Sequence, residues 1–335
     1  MLTYEEMGKL PADRSVIPSY CESFAESAFY VAEAATRHMN KFFEEVGITE
    51  LAIFESTGSI VVYEGEKLKA FWDGLGKVWD NIWQAIKRAY EKLINFIHEK
   101  QKEAANKVID KVTVSEIEKI SDDKFAKTLG KFKYIEYHYK DIQDKIKGNL
   151  ADSATKMPNL FDLSDEDARK QSADYVKEVN GIIYGGSDVK DAESLKAAVK
   201  KDCTPEGKDL TKDYLTSNLN SMKDTTKDLL NSAKEQYNKM KRLVDDNKRN
   251  IRKFKDKDMD VARADQRCQL ARTMAYNTAI FATYDIAKML LRQNMSVLRT
   301  AAAFVKAVKE KKSEKKEETT TSNESVSFVE EAFQW

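Results

Sequence analysis

The chain has 335 residues, 56 Lys+Arg against 56 Asp+Glu, a formal net charge of +0, and 33% charged residues beside 41% hydrophobic ones. With only 12 Gly and 4 Pro this is the composition of long solvated helices, and the length fits one large or two moderate domains. The three cysteines, Cys21, Cys203 and Cys268, are far apart and have no paired spacing, so neither a disulfide framework nor a zinc site is indicated.

The charge is not spread evenly. Residues 1–55 carry 10 Asp+Glu against 4 Lys+Arg, a net of −6, so the remainder carries +6. An acidic leader on a basic body is the simplest description. The first twenty residues lack a cationic start and an apolar run, so secretion by the general route is not expected.

Pro11 and Pro18 make the first twenty residues irregular. From Tyr20 to Val46, apolar residues at Phe24, Ala28, Val31, Ala35, Met39 and Phe42 fall on one helical face, with Gly47 as a stop. Residues 53–63 then read as an extended stretch, and 60–63 as a short β-branched run bounded by Gly58 and Gly65. A single strand needs a partner, and the comparable stretch is Ile182, Ile183 and Tyr184.

From Leu68 a stripe of Trp72, Leu75, Trp79, Ile82, Ile86, Leu93 and Ile97 predicts a strongly amphipathic helix. It is either the core of a bundle or a membrane-interface helix flanked by Lys77, Lys87, Arg88 and Lys92. Thr113, Val114, Ser115 and Glu116 have capping-box spacing, which starts a second run to about Ile146 that ends near Gly148. Residues 148–163 are the best internal boundary. Ser164 followed by Asp165, Glu166 and Asp167 begins another helix, with carboxylates at the positive end of its dipole.

Thr204, Pro205 and Glu206 predict the start of a long helix carrying Leu210, Leu215, Leu219, Met222, Leu229, Met240 and Val244. A charged link, residues 245–258, leads to a last helix over about 259–308. Its most apolar part, residues 268–291, is interrupted by Gln269, Arg272, Asn277, Asp285 and Lys288, and reads as a buried bundle helix rather than a membrane span. Residues 309–323 are Lys/Glu/Thr-rich and predict a tether.

Beyond the tether, Phe328, Ala332, Phe333 and Trp335 make a candidate docking segment. Residues 23–29 and 327–333 share the pattern S-F-x-E-x-A-F. Such residues recur by chance in amphipathic helices; the alternative is that both ends present similar docking helices.

The expected fold is therefore all-α: an elongated bundle of long amphipathic helices with at most a minor two-stranded β element. Its divisions are a leader (1–55), a Trp-rich region (56–147), a long-helix region (148–308) and the tether with its apolar end (309–335). No P-loop, dinucleotide fingerprint, nucleophile elbow or H-E-x-x-H occurs, and neither a catalytic site nor a cofactor is expected. His38, His98 and His138 are widely separated and read as surface or packing residues. Lys248, Arg249, Arg252, Lys253 and Lys255 are candidate phosphate contacts, against the reading of a solvated helix face.

Phe54, Glu55, Ser56, Thr57, Gly58, Val61, Val62, Glu64 and Gly65, followed by an aromatic, Lys-rich helix, form the pattern F-E-[AS]-T-G-x-x-V-V-x-E-G. It resembles a segment of internal or structural virion proteins of tailed bacteriophages of Gram-positive hosts, over residues 54–92 only. Prohead proteases of large tailed phages cut after Glu, with an aliphatic residue two positions earlier and a small residue after. Ile53, Phe54 and Glu55 before Ser56 are similar to that pattern, as are Val31, Ala32 and Glu33 before Ala34.

The resemblance implies a removable leader ending at Glu55 and a basic body suited to lie beside packaged DNA. It also implies capsid or other virion proteins as partners, with homo-oligomerisation open. Two other readings stand beside it: a membrane-active helical protein, and a cytoplasmic adaptor whose tail recruits a partner.

Overall fold

The computed structural model describes residues 23–57, 64–103, 114–134, 139–180, 207–254 and 259–317, together with 193, 194 and 197. Four long helices dominate: α1 (Phe24–Thr57), α2 (Glu64–Glu103), α7 (Lys212–Ile251) and α8 (Met259–Glu317). Between α2 and α7 lie α3 (Val114–Glu118), α4 (Asp122–Thr128), β1 (Lys133–Tyr134), α5 (Tyr139–Thr155), α6 (Asp165–Asn180) and β2 (Lys208–Asp209). A 3-10 turn, Arg252–Phe254, follows α7. The fold is all-α, with one two-stranded antiparallel pairing among the described residues.

The long helices touch in a cycle: α1 packs on α2, α2 on α7, α7 on α8 and α8 on α1, while α5 and α6 cover another side of α8. This arrangement explains the burial. The α2 stripe Leu75, Trp79, Ile82 and Ile86 is fully buried, and Trp72, Leu93 and Ile97 nearly so. The Trp-rich face is therefore bundle core in this fold. Among the described residues, no helix is long and apolar enough to cross a membrane.

Helix α8 is covered on several sides, which is why residues 273–287 are buried almost without interruption and apolar residues occur all round it. The expectation of a buried bundle helix over residues 268–291 holds.

Several boundaries differ from the sequence reading. α1 runs through Gly47 to Thr57, so residues 53–57 are helical rather than extended, and α2 begins at Glu64, before Leu68. An apolar face packed on a neighbour outweighs the roughly 1 kcal/mol that one mid-helix Gly costs. The run expected from Thr113 to Ile146 is broken into α3, α4, β1 and the start of α5, and α5 continues through Gly148 to Thr155. The observed strand pairing joins Lys133 to Asp209 and Tyr134 to Lys208; the expected pair at 60–63 and 182–184 lies outside the described residues.

Ser164 caps α6 as expected, its Oγ accepting from the Asp167 N–H at 3.3 Å and donating to the Asp167 carboxylate at 2.7 Å. The long helix α7 starts at Lys212, later than Thr204 implied, with Thr211 Oγ1 accepting from the Tyr214 N–H. Helix α8 continues to Glu317, past the boundary at residue 308. Lys and Glu are good helix formers, so a polar run can extend a helix whose base is packed.

Candidate functional site

α1 begins on a carboxylate borrowed from the far end of the chain. The first four N–H groups of a helix have no intrahelical partner. Asp285 of α8, buried at 3% exposure, supplies two of the missing acceptors: Oδ1 takes the Phe24 N–H and Oδ2 the Ala25 N–H, each at 2.7 Å. Ser23 Oγ takes the Glu26 N–H at 2.9 Å, and the Ser27 N–H reaches the Ser23 carbonyl at 3.2 Å. The Phe24, Ala25 and Glu26 N–H groups are thereby satisfied, the Ser27 N–H makes the first intrahelical bond, and a negative charge faces the positive end of the helix dipole.

The rest of the seat is apolar. The Phe24 ring meets Phe96 edge-on at 5.7 Å and Phe281 at 6.3 Å, and Phe281 meets Tyr90 at 4.7 Å. Lys288 lies over the Phe24 ring at 4.8 Å, one turn along α8 from Asp285. Ala25 and Ala28 are fully buried and Ser27 is 1% exposed, so the helix start is tightly enclosed. Burial raises the Asp285 carboxyl from 3.8 to about 6; the Ala25 and Phe24 N–H groups, Lys288 and Ser23 pull the other way.

A second buried carboxylate, Asp265, belongs to a polar seam on α8. Gln266 Nε2 donates to it at 3.1 Å while Gln266 Oε1 accepts from Trp79 Nε1 at 2.6 Å, which ties α8 to α2. Burial also raises Asp265 to about 6, opposed by Gln269, Gln266, Arg272 and Lys253. Farther along, Arg272 donates to Gln269 Oε1 at 2.8 Å, and Asn247 Nδ2 donates to Thr273 Oγ1 at 2.9 Å. Within the seam, both amide atoms of Asn277, the hydroxyl of Thr278 and Nε of Arg272 lack a hydrogen-bond partner. Asp265 borders a cleft of about 440 Å³ with Asn159, Phe161, Asn250, Lys253 and Phe254.

Among the described residues no group of His, Cys, Asp and Glu could hold a metal ion. The Cys268 thiol is raised to about 11 by burial and donates to Ser172 Oγ at 3.4 Å, a packing role.

The residues singled out in the sequence are scattered. Glu33 is exposed in the middle of α1 and pairs with Arg37 at 3.8 Å, with Ala34 partly buried beside it. Glu55 and Ser56 fall in the last turn of the same helix. Of the basic cluster, Lys248 pairs with Asp80 and Arg249 with Asp246, Arg252 opens the 3-10 turn, and Lys253 is exposed at the rim of the Asp265 cleft. Lys255 lies outside the described residues, as do Phe328, Ala332, Phe333 and Trp335. Sequence reasoning passed over Asp285, although Ser23, Phe24, Ala25 and Glu26 spell S-x-x-E, the spacing of a capping box.

No family model, curated protein or solved structure matches this chain.

Proposed function

We propose that the chain is a non-enzymatic structural protein of a tailed-bacteriophage virion, carried inside the head, with residues 1–55 as an acidic leader removed by cleavage between Glu55 and Ser56. The observation that carries this reading is the division of charge at that bond: a net of −6 before it and +6 after it. The resemblance over residues 54–92 supports the class. The long-helix architecture is compatible with a packing role.

The two candidate cleavage points are not equal. A protease binds an extended strand, and Glu33 and Ala34 lie inside a helix whose Val31, Ala35 and Met39 are fully buried, so cleavage there requires unfolding of the packed turns. Glu55 and Ser56 lie in a terminal turn, where helices fray. Cleavage after Glu55 is the favoured event. The body would then contact capsid or other virion proteins and packaged DNA. Since Lys248 and Arg249 already have carboxylate partners, Lys253 is the best-placed phosphate contact among the described side chains of the cluster.

Peptide mapping of nuclease-treated, density-purified particles tests this. The expected result is the chain with a new N-terminus at Ser56. Full-length chain in mature particles would sink the cleavage claim, and absence of its peptides would sink the virion assignment.

A further inference from the structure

The repeated pattern S-F-x-E-x-A-F acquires a physical meaning once its first copy is seen in place. In residues 23–29 the Ser caps the Glu26 N–H, the first Phe enters the pocket between Phe96 and Phe281, and the N–H groups of Phe24 and Ala25 sit on Asp285. Ala28 is buried outright. Residues 327–333 repeat those elements as Ser327, Phe328, Glu330, Ala332 and Phe333, including the S-x-x-E capping spacing. We propose that the seat around Asp285 is a docking site for residues 327–333 of a second copy of this chain, and that the start of α1 is the internal occupant that competes for it.

Reach favours a second copy over the chain's own tail. Glu317, the last residue of α8, stands roughly 48 Å along the helix axis from Asp285 at 1.5 Å per residue. Ser327 can extend at most about 36 Å from Glu317. With α8 intact, the tail does not reach its own seat. Donation of one copy's tail to another copy's seat builds rings or filaments when each donation passes onward, and a closed pair when two copies trade tails.

The two departures between the copies give the competition its direction. Val329 stands where Ala25 is fully buried, and Glu331 where Ser27 is 1% exposed. Extra methyl groups and a carboxylate are both costly in such places. The chain's own leader therefore holds the seat at rest, and a foreign tail takes it when the first turns of α1 are loosened or removed. This proposal stands on the seat's geometry and on the repeat, so it can hold or fail independently of the virion reading.

The test uses the full chain and a labelled peptide of residues 324–335, titrated by fluorescence anisotropy. Phe24→Ala loosens the internal occupant while leaving Phe96, Phe281 and Asp285 in place. The peptide is expected to bind the Phe24→Ala chain at least about tenfold more tightly than wild type, and to lose that gain when Asp285→Ala is added or when the peptide carries Phe328→Ala. Equal binding to both chains, insensitivity to Asp285→Ala, or no binding at about 1 mM to a Phe24→Ala chain that still melts cooperatively would overturn the proposal.

If Phe24→Ala fails to fold, the milder Phe24→Leu chain, which keeps an aliphatic side chain in the pocket but loosens the first turn of α1, decides the question. A photoreactive benzophenone group is placed at position 328, and isotopically heavy and light chains are mixed. Heavy-to-light crosslinks onto residues 281–292 support docking between copies. Crosslinks confined to one chain, or none in that segment, overturn it.

Discussion

Replacing Asp285 by Asn removes one carboxylate and leaves the packing nearly unchanged, so it isolates the contest between burial and helix capping at the start of α1. The native carboxyl is raised from 3.8 to about 6, and at 1.36 kcal/mol per pKa unit this is about 3 kcal/mol between its two protonation states. The native state holds that proton more tightly than the unfolded chain does. The stabilising contribution is therefore fully present below about pH 4 and is lost as pH rises through about 6. The amide that replaces the carboxyl cannot titrate. The stability of wild type minus that of Asp285→Asn, from urea unfolding followed by far-UV circular dichroism, should shift in favour of wild type by up to about 3 kcal/mol as pH falls from about 7 to 4. Taking the difference cancels most of the other carboxylates. A difference that shifts the opposite way would mean that the two N–H groups and the helix dipole outweigh burial, and the reasoning would be refuted. On top of this slope, the loss of one cap acceptor should give Asp285→Asn an offset of about 1 kcal/mol at neutral pH.

The remaining predictions concern the bundle. Added Cβ atoms at Gly76 and Gly148 would meet nothing within 4 Å, so Gly76→Ala and Gly148→Ala should each stabilise by about 0.5–1 kcal/mol in thermal melts, and a loss at either would contradict the helical assignment there. Thr278 buries a hydroxyl without a partner, so Thr278→Val should raise the urea midpoint by the equivalent of about 1 kcal/mol; a decrease would reveal a partner for that hydroxyl. Met39 is fully buried in α1, and Met39→Ala should cost about 2–5 kcal/mol. A cost near zero would show that α1 is not part of the core.

Local periodicity explains what can be read from the chain in advance. The α2 stripe from Trp72 to Ile97 and the Leu215, Leu219, Met222 and Val244 face of α7 repeat at helical spacing, and each is buried. The start of α8 at Met259 and the Ser164 cap of α6 are likewise legible, because caps and composition changes are local signals. Non-local effects are not. Gly47 reads as a stop because its neighbours alone argue for one, and the helix passes through it. The β1–β2 pairing brings together residues more than 70 positions apart through two-residue strands that carry no β signature. Asp285 reads as an interruption costly in an apolar stretch. Its role depends on N–H groups 260 and 261 positions away, and only the S-x-x-E spacing at Ser23 hints that a helix start needs acceptors there.

That α1 is a seated part of the bundle, gripped at Asp285, is measured most directly by amide hydrogen exchange. The Phe24 and Ala25 amides, both donated to a buried carboxylate, and the fully buried α1 turns around Val31 and Met39 should exchange about as slowly as the α8 core around Ile280. Protection at Phe24 and Ala25 should fall selectively in Asp285→Ala. Rapid exchange throughout residues 24–43 in the wild-type chain, with α8 still protected, would contradict the account.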